Sequence, residues 1–307
     1  MNGRVNNSAV VVHLTPDELL HYRGEGVDIS RDGEFVTVEG VRLHYVSEGR
    51  GTPVVLLHGN AGFTHDYSTV MTLLARRGFR ALAFDRPGHG RSERANNGAT
   101  TAGVQARLIR RALLELEVEQ PIMVGHSWGG LLILAYWLQY QTDTAGLVLL
   151  APAIYPEGDE FTTSKALVGI PGLGYLLIRM SKPFINREIR RTLDRAFSPD
   201  EVPSAYLELA TTIWNRPEQV KAIVEDEADF GLSAEGLTSR FGEIRAPTVI
   251  VTGDSDHLVK PEAHSFPLHK AIPHSRLVVL PGAGHMLPQT RPEAVLEAIE
   301  TLSTHVR

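Results

Sequence analysis

A series of short, uninterrupted apolar runs constrains this chain more than any other feature. "TPVVLLHG", "RALAFD", "PIMVGHS", "AGLVLLAP", "APTVIVTG" and "SRLVVLPG" are brief Val/Ile/Leu/Ala stretches that end in polar or glycine-rich turns. A strand with one wet face alternates apolar and polar residues, whereas continuous runs of this length fit strands buried on both faces of a parallel sheet. Between them lie segments with helical spacing: Tyr67 to Arg77, Thr101 to Glu117, Gly130 to Gln141, Pro261 to Ala271 and Pro292 to Thr304. Strand and helix in alternation predict an α/β chain, a mostly parallel, doubly wound sheet covered on both sides. Ahead of it, "EFVTVEG" and "RLHYVSEG" alternate and predict an antiparallel hairpin around Gly40.

From about Tyr155 to Gly242 the buried-strand signature stops. "SKALVGIPGLGYLLIRMSKPFINREIRRTLDRAF" and "SAYLELATTIWNRPEQVKAIVEDEADF" read instead as several helices broken at Pro171, Pro183 and Pro217. Both ends of this segment lead straight back into sheet strands, which favours an insertion over a second independent helical domain. The predicted division is an N-terminal extension over 1–30, a core over 31–154 and 243–307, and a helical cap, or lid, over 155–242.

Composition narrows the function. The 307 residues are 43% hydrophobic and 21% charged, a balance that buries a sizeable core. A formal net charge of −6 without a basic block argues against nucleic acid as a partner. With no cysteine, thiolate nucleophiles, thiolate metal ligands and disulfides are excluded. The apolar run Ala9 to Val12 is too short for a signal peptide, and no stretch approaches the roughly 20 apolar residues of a membrane span, so a cytoplasmic location is expected.

The chemistry is carried by "VGHSWGG", Val124 to Gly130. Gly125-His126-Ser127-Trp128-Gly129 follows the apolar run "PIMV" and precedes the helix-like "GLLILAYWLQY", the context of a nucleophile elbow. A tight strand-to-helix turn forces the serine into a strained conformation, and only glycine fits where neighbouring chains crowd it. The turn also aims the first amides of the helix beside the hydroxyl, so the Trp128 N–H is the first oxyanion donor. The second is expected from "HGNAG", where Gly59 permits close approach and the Asn60 amide follows.

A serine hydroxyl needs a base, and the base an orienting acid. "TVIVTGDSDHLV" supplies Asp254 and Asp256 after one predicted strand, and "LVVLPGAGHMLP" supplies His285 after the next. Asp254 follows its glycine directly and suits a role bracing the turn; Asp256 has the reach to bend back toward His285 and is the favoured acid. No H-E-x-x-H or H-x-H-x-D pattern occurs, so neither a metal nor a cofactor is expected.

Together "LLHGNAG", "FDRPGHGRS", "GHSWGG", "GDSDHLV" and "GAGHM" make the chain resemble the α/β-hydrolase superfamily from about Glu34 to His305, within the large group that carries a lid after the sixth strand. The resemblance implies Asp256, three residues after Gly253, as the acid, and His285 of Gly282-Ala283-Gly284-His285 as the base. It implies that Asp85 and Arg86 shape the loop after a strand. Haloalkane dehalogenases and epoxide hydrolases of this superfamily place an aspartate where Ser127 stands, which disfavours their chemistry here.

The expected activity is serine hydrolysis of carboxylic esters by Ser127, His285 and Asp256, through an acyl-enzyme. The apolar "ALVGIPGLGYLLI", with Trp137, Trp214 and Phe230 adding to an apolar cavity, points to a small to medium hydrophobic or aromatic acyl substrate. An amidase, an aminopeptidase resembling the proline iminopeptidases, or a carbon–carbon hydrolase could share these residues. The prolyl enzymes usually show Gly-Gly-Ser at the elbow and the carbon–carbon group an asparagine where His126 stands. A ligand-closing receptor on the same fold is the alternative of another class.

Overall fold

The computed structural model describes residues 33–94, 100–156 and 182–303. The predicted N-terminal extension and the apolar "ALVGIPGLGYLLI" lie outside them. The described strands are β1 (Glu34–Val38), β2 (Val41–Gly49), β3 (Thr52–Leu57), β4 (Phe79–Phe84), β5 (Ile122–His126), β6 (Gly146–Leu150), β7 (Thr248–Gly253) and β8 (Arg276–Leu280). They form one sheet in the order β1-β2-β4-β3-β5-β6-β7-β8. β1 and β2 pair antiparallel, as do β2 and β4, and all remaining pairs are parallel.

The hairpin closes from Val38 to Val41 through Glu39 and Gly40, both at positive φ, 50° and 77°. A two-residue turn with both residues left-handed matches the twist of its flanking strands, and glycine takes that conformation without strain.

Because side chains alternate across a strand, the apolar runs feed two cores. In β3, Val55 and Leu57 point into one and Val54 and Leu56 into the other. The first core packs α2 (Ala102–Glu115), α3 (Trp128–Tyr140) and α7 (Ser265–Ala271) on one face of the sheet. The second packs α1 (Ser68–Arg76) and α9 (Pro292–Ser303) on the other. α3 is buried at every position from Trp128 to Leu138, which is why it lacks a polar face. β8 reads as apolar as the others yet is only half-buried over most of its length, because it closes an edge of the sheet.

Between β6 and β7 the structure describes α4 (Lys182–Phe197), α5 (Ser204–Trp214) and α6 (Pro217–Ala234). Pro217 falls in the first turn of α6, where a missing N–H costs no hydrogen bond, so it opens that helix; Pro183 lies at the start of the described part of α4, and Pro171 is outside the described residues. Ile189, Leu193, Phe197, Tyr206, Ile213 and Trp214 of these helices pack with Ala61, Phe63 and Met286. This third apolar cluster joins the insertion to the loops after β3 and β8. A short α8 (Leu287–Thr290) follows Met286. No helix among the described residues is long and apolar enough to cross a membrane.

The three aromatic residues predicted to enlarge a cavity separate here. Trp137 lies nine residues beyond Trp128 on α3, ~14 Å along the axis at 1.5 Å per residue, and is buried in the first core. Phe230 packs against that same core. Only Trp214 belongs to the cluster that meets the loops after β3 and β8.

Candidate active site

Parallel strands β3 to β8 end at one edge of the sheet, where open α/β folds hold their ligands. Asn60 follows β3, Ser127 follows β5, Asp256 follows β7 and His285 lies in the loop after β8. The topology thus brings every predicted site residue to the same rim.

Ser127 has φ 52° and ψ −120°. A side chain other than glycine held there stores on the order of 1–3 kcal/mol of strain, which the surroundings must impose. Its N–H donates to the Leu150 carbonyl at 2.9 Å, and its own carbonyl accepts from Gly130 at 2.9 Å and Ala153 at 3.1 Å. The end of β6 therefore clamps the turn. A Cβ on Gly125 would lie 2.3 Å from the Gly129 carbonyl oxygen, and one on Gly129 would lie 2.3 Å from that of Leu57 and 2.7 Å from that of His58. A Cβ on Gly59 would meet that of Ser127 at 2.9 Å. Glycine at these positions lets the elbow and the loop after β3 touch, which sets Asn60 beside the turn. Ser127 is half-buried.

The residues predicted as acid and base meet. His285 Nδ1 lies 2.7 Å from Asp256 Oδ2, and Asp256 Oδ1 accepts the N–H groups of Leu258 at 2.9 Å and Val259 at 2.8 Å. Burial pushes the Asp256 carboxyl up, but the His285 charge and these hydrogen bonds outweigh it and hold the group below its usual range. An ionised Asp256 can only accept, so Nδ1 carries the proton and Nε2 presents a lone pair. Asp254 is exposed and accepts from Gly282 N–H at 2.8 Å and the Ser255 hydroxyl at 2.9 Å, the bracing role open to it from the sequence. A Cβ on Gly253 would lie 2.0 Å from the Ala283 carbonyl oxygen, so glycine lets the two loops close on one another.

His126 supplies a contact that sequence reasoning did not identify. Its Nε2 donates to the His285 carbonyl at 2.9 Å, and the two rings lie 4.7 Å apart. Burial and the nearby His285 charge bring its pKa down to about 3, so it stays neutral. Sitting one residue before Ser127, it joins the elbow to the loop carrying His285.

The largest departure concerns Arg86. It shapes a loop, as expected, but it is also fully buried and reaches across the fold to Asp226 on α6 at 2.6 Å. His89 Nε2 lies 3.0 Å from the same carboxylate oxygen, and Asp226 Oδ1 accepts from Arg94 at 3.0 Å and Gln105 at 3.2 Å. Burial pushes Asp226 up, and the charges of Arg86, His89 and Arg94 reverse that and keep it ionised. Asp85 ties its loop to its neighbours, accepting from the Arg91 amide within the loop and from the Thr64 amide after β3, and pairing with His44 on β2.

A mostly parallel eight-stranded sheet of this order, with a strained serine after its fifth strand and an imidazole–carboxylate pair after the last two, defines a hydrolase of the α/β type. Residues 52–292 match the family model of the alpha/beta hydrolase fold, and the chain belongs to that family. It is 28% identical over 265 residues to the 2-hydroxy-6-oxononadienedioate/2-hydroxy-6-oxononatrienedioate hydrolase of Comamonas testosteroni, covering 83% of this chain and 91% of the relative. It is 26% identical over 296 residues to haloalkane dehalogenase 2 of Mycobacterium bovis, covering 94% and 98%. A meta-cleavage product hydrolase of Pseudomonas fluorescens superposes with a TM-score of 0.73 at 19% identity, covering 90% and 98%, a likeness of fold.

Proposed function

We propose that the protein is a serine hydrolase that cleaves carboxylic esters of small to medium hydrophobic or aromatic acids. Ser127 Oγ attacks the acyl carbonyl while His285 Nε2 takes its proton, and Asp256 stabilises the imidazolium. The amides of Asn60 and Trp128 receive the oxyanion, each such donor being worth about 2.7–4 kcal/mol of barrier. His285 returns the proton to the leaving alcohol, and water then releases the acid. α4 to α6 serve as a cap over this rim.

The observation that carries the reading is the 2.7 Å imidazole–carboxylate pair beside a serine held at positive φ. The acyl preference rests on Ala61, Phe63, Trp214 and Met286, the apolar group next to Asn60 and His285. A serine at the elbow sets the chain apart from the dehalogenase chemistry of its mycobacterial relative.

A second reading follows from the name of the Comamonas relative: hydrolysis of a carbon–carbon bond in a dienoate. Such a substrate carries carboxylates and calls for a cation at the site. Arg86, which touches Trp128 and the Gly59 carbonyl, and Arg94 both pair with Asp226, and the Glu227 carboxyl lies against Asn60. This favours the uncharged ester. Purified protein assayed on p-nitrophenyl butyrate, p-nitrophenyl benzoate and a 2-hydroxy-6-oxo-dienoate, with Ser127→Ala alongside, decides between them. The ester reading expects multiple turnovers on the first two that vanish in the variant. Turnover of the dienoate alone would replace it with the second reading.

A further inference from the structure

We propose that α6 is the positioning element of the oxyanion hole and that Arg86 is the residue through which it acts. The inference deepens the proposed function and rests on Asn60 and Trp128 being the oxyanion donors.

Both of those residues fasten their side chains to the same helix. Asn60 Nδ2 donates to the Ile223 carbonyl at 3.2 Å and the Trp128 indole N–H to the Asp226 carbonyl at 3.3 Å. The two acceptors are three residues apart on α6, close to one turn, so one helix face holds both. Arg86 lies beneath them, its guanidinium 4.3 Å from the centre of the Trp128 ring.

The guanidinium also grips the backbone that leads into Asn60. Its Nε donates to the His58 carbonyl at 2.9 Å and one terminal nitrogen to the Gly59 carbonyl at 3.0 Å. The other terminal nitrogen donates to Asp226 at 2.6 Å and to Gln105 at 2.9 Å. The Gly59 carbonyl and the Asn60 N–H belong to one planar trans peptide unit, so they point in opposite directions. Holding that carbonyl toward Arg86 aims the Asn60 N–H away from it. His58 Nδ1 helps, donating to the Gly59 carbonyl at 2.8 Å, while His58 Nε2 accepts the Arg86 backbone N–H at 2.9 Å.

Without the fork the Gly59 carbonyl loses its charged donor and keeps the bonds from His58 Nδ1 and the Gly62 N–H, so a peptide preceded by glycine turns more readily and the Asn60 N–H is less well aimed at the hole. Asp226 fixes the guanidinium, and through it the fork. Lysine could keep the charge but cannot span two carbonyls and a carboxylate with one ammonium.

The test is the rate at which a fluorophosphonate labels Ser127, since that attack requires the hole without depending on the natural substrate. The serine oxygen bonds to phosphorus, fluoride leaves, and the proton passes to His285. Arg86→Lys, Asp226→Asn and the double variant Asn60→Ala with Trp128→Phe, which keeps both backbone amides, are compared with wild type. Inhibition by a short carboxylic acid product reports ground-state binding. The expected result is labelling slowed by about tenfold or more in each, with product affinity changed less than about twofold, as removal of one donor costs roughly 10²–10³. Arg86→Lys added to the Asn60/Trp128 double variant should slow labelling by less than the product of the separate effects, because one device is being removed. Labelling within about twofold of wild type in the Asn60/Trp128 variant, which leaves the buried charges intact, would overturn the proposal even if Arg86→Lys fails to fold. Wild-type protein that resists the fluorophosphonate altogether would instead overturn the serine-hydrolase reading on which it rests.

Discussion

Asp66, in the loop that follows Asn60, is expected to make this protein less stable as pH rises through neutrality. It is buried, and its carboxyl accepts from the Tyr206 hydroxyl at 2.9 Å and the Phe63 N–H at 3.4 Å. Burial raises its pKa from 3.8 to about 7; the bonds from Tyr206 and Phe63 offset part of this, and the Asp85 charge adds to it. Between those values the unfolded chain has released the proton and the folded chain still holds it, so the unfolded state gains with each step upward in pH. One unit corresponds to ~1.4 kcal/mol, which makes the full window worth about 4 kcal/mol. Roughly 2–3 kcal/mol of that falls between pH 5 and pH 8. Asp66→Asn removes the titration while imitating the protonated acid, its oxygen accepting from Phe63 and its NH₂ donating to Tyr206. Urea unfolding of both proteins at several pH values measures the difference. Wild type should lose that 2–3 kcal/mol relative to Asp66→Asn from pH 5 to pH 8. A difference that stays constant over this range would mean that Asp66 ionises like a solvated carboxyl, and the reasoning from burial would fail.

Asp256→Asn should lower kcat on p-nitrophenyl butyrate by about 10⁴, as loss of the orienting acid does in a serine triad, whereas Asp254→Asn should lose less than about tenfold. Because its partners hold Asp256 below the usual carboxylate range, its contribution to stability is present above the unfolded value and is lost only as pH falls through the lower folded one. Wild type compared with Asp256→Asn by thermal melting should therefore lose this contribution at acid pH, as pH falls below the ordinary carboxylate range. Gly129→Ala would place its Cβ 2.3 Å from the Leu57 carbonyl oxygen, and backbone cannot yield there without moving the elbow. It should destabilise by at least about 2 kcal/mol in urea unfolding and abolish esterase activity.

What the sequence made legible is local. Strand, turn and helix around Ser127 are contiguous, and the steric need for Gly125 and Gly129 is written into the same few residues. Asp256 and His285 stand out as candidates because each follows a strand whose apolar run is plain. Asp226 was invisible for the opposite reason. It sits in "VEDEADF", which has the composition of a solvated helix face, and its partner Arg86 lies 140 residues away. Buried charges are stable only when paired, and pairing across that distance leaves no periodic trace. Trp137 shows the converse error: its residue type suited a cavity, but its depth along α3 depended on where the helix began. His126 drew notice in the sequence only as the position where the carbon–carbon group has an asparagine; its bond to the His285 carbonyl joins residues 159 positions apart and leaves no local trace.

The fastening of α6 also governs how molecules come and go. Along its length it is attached at Gln219 to the Gly90 amide, at Asp226 to Arg86 and Arg94, and at Ser233 to the Ala102 amide. Swinging it outward would leave the fully buried Arg86 guanidinium without its carboxylate, a penalty of roughly 3–5 kcal/mol. It is a wall and not a door: substrate and product must pass beside it, and residues chosen to widen the entrance should be sought on its neighbours.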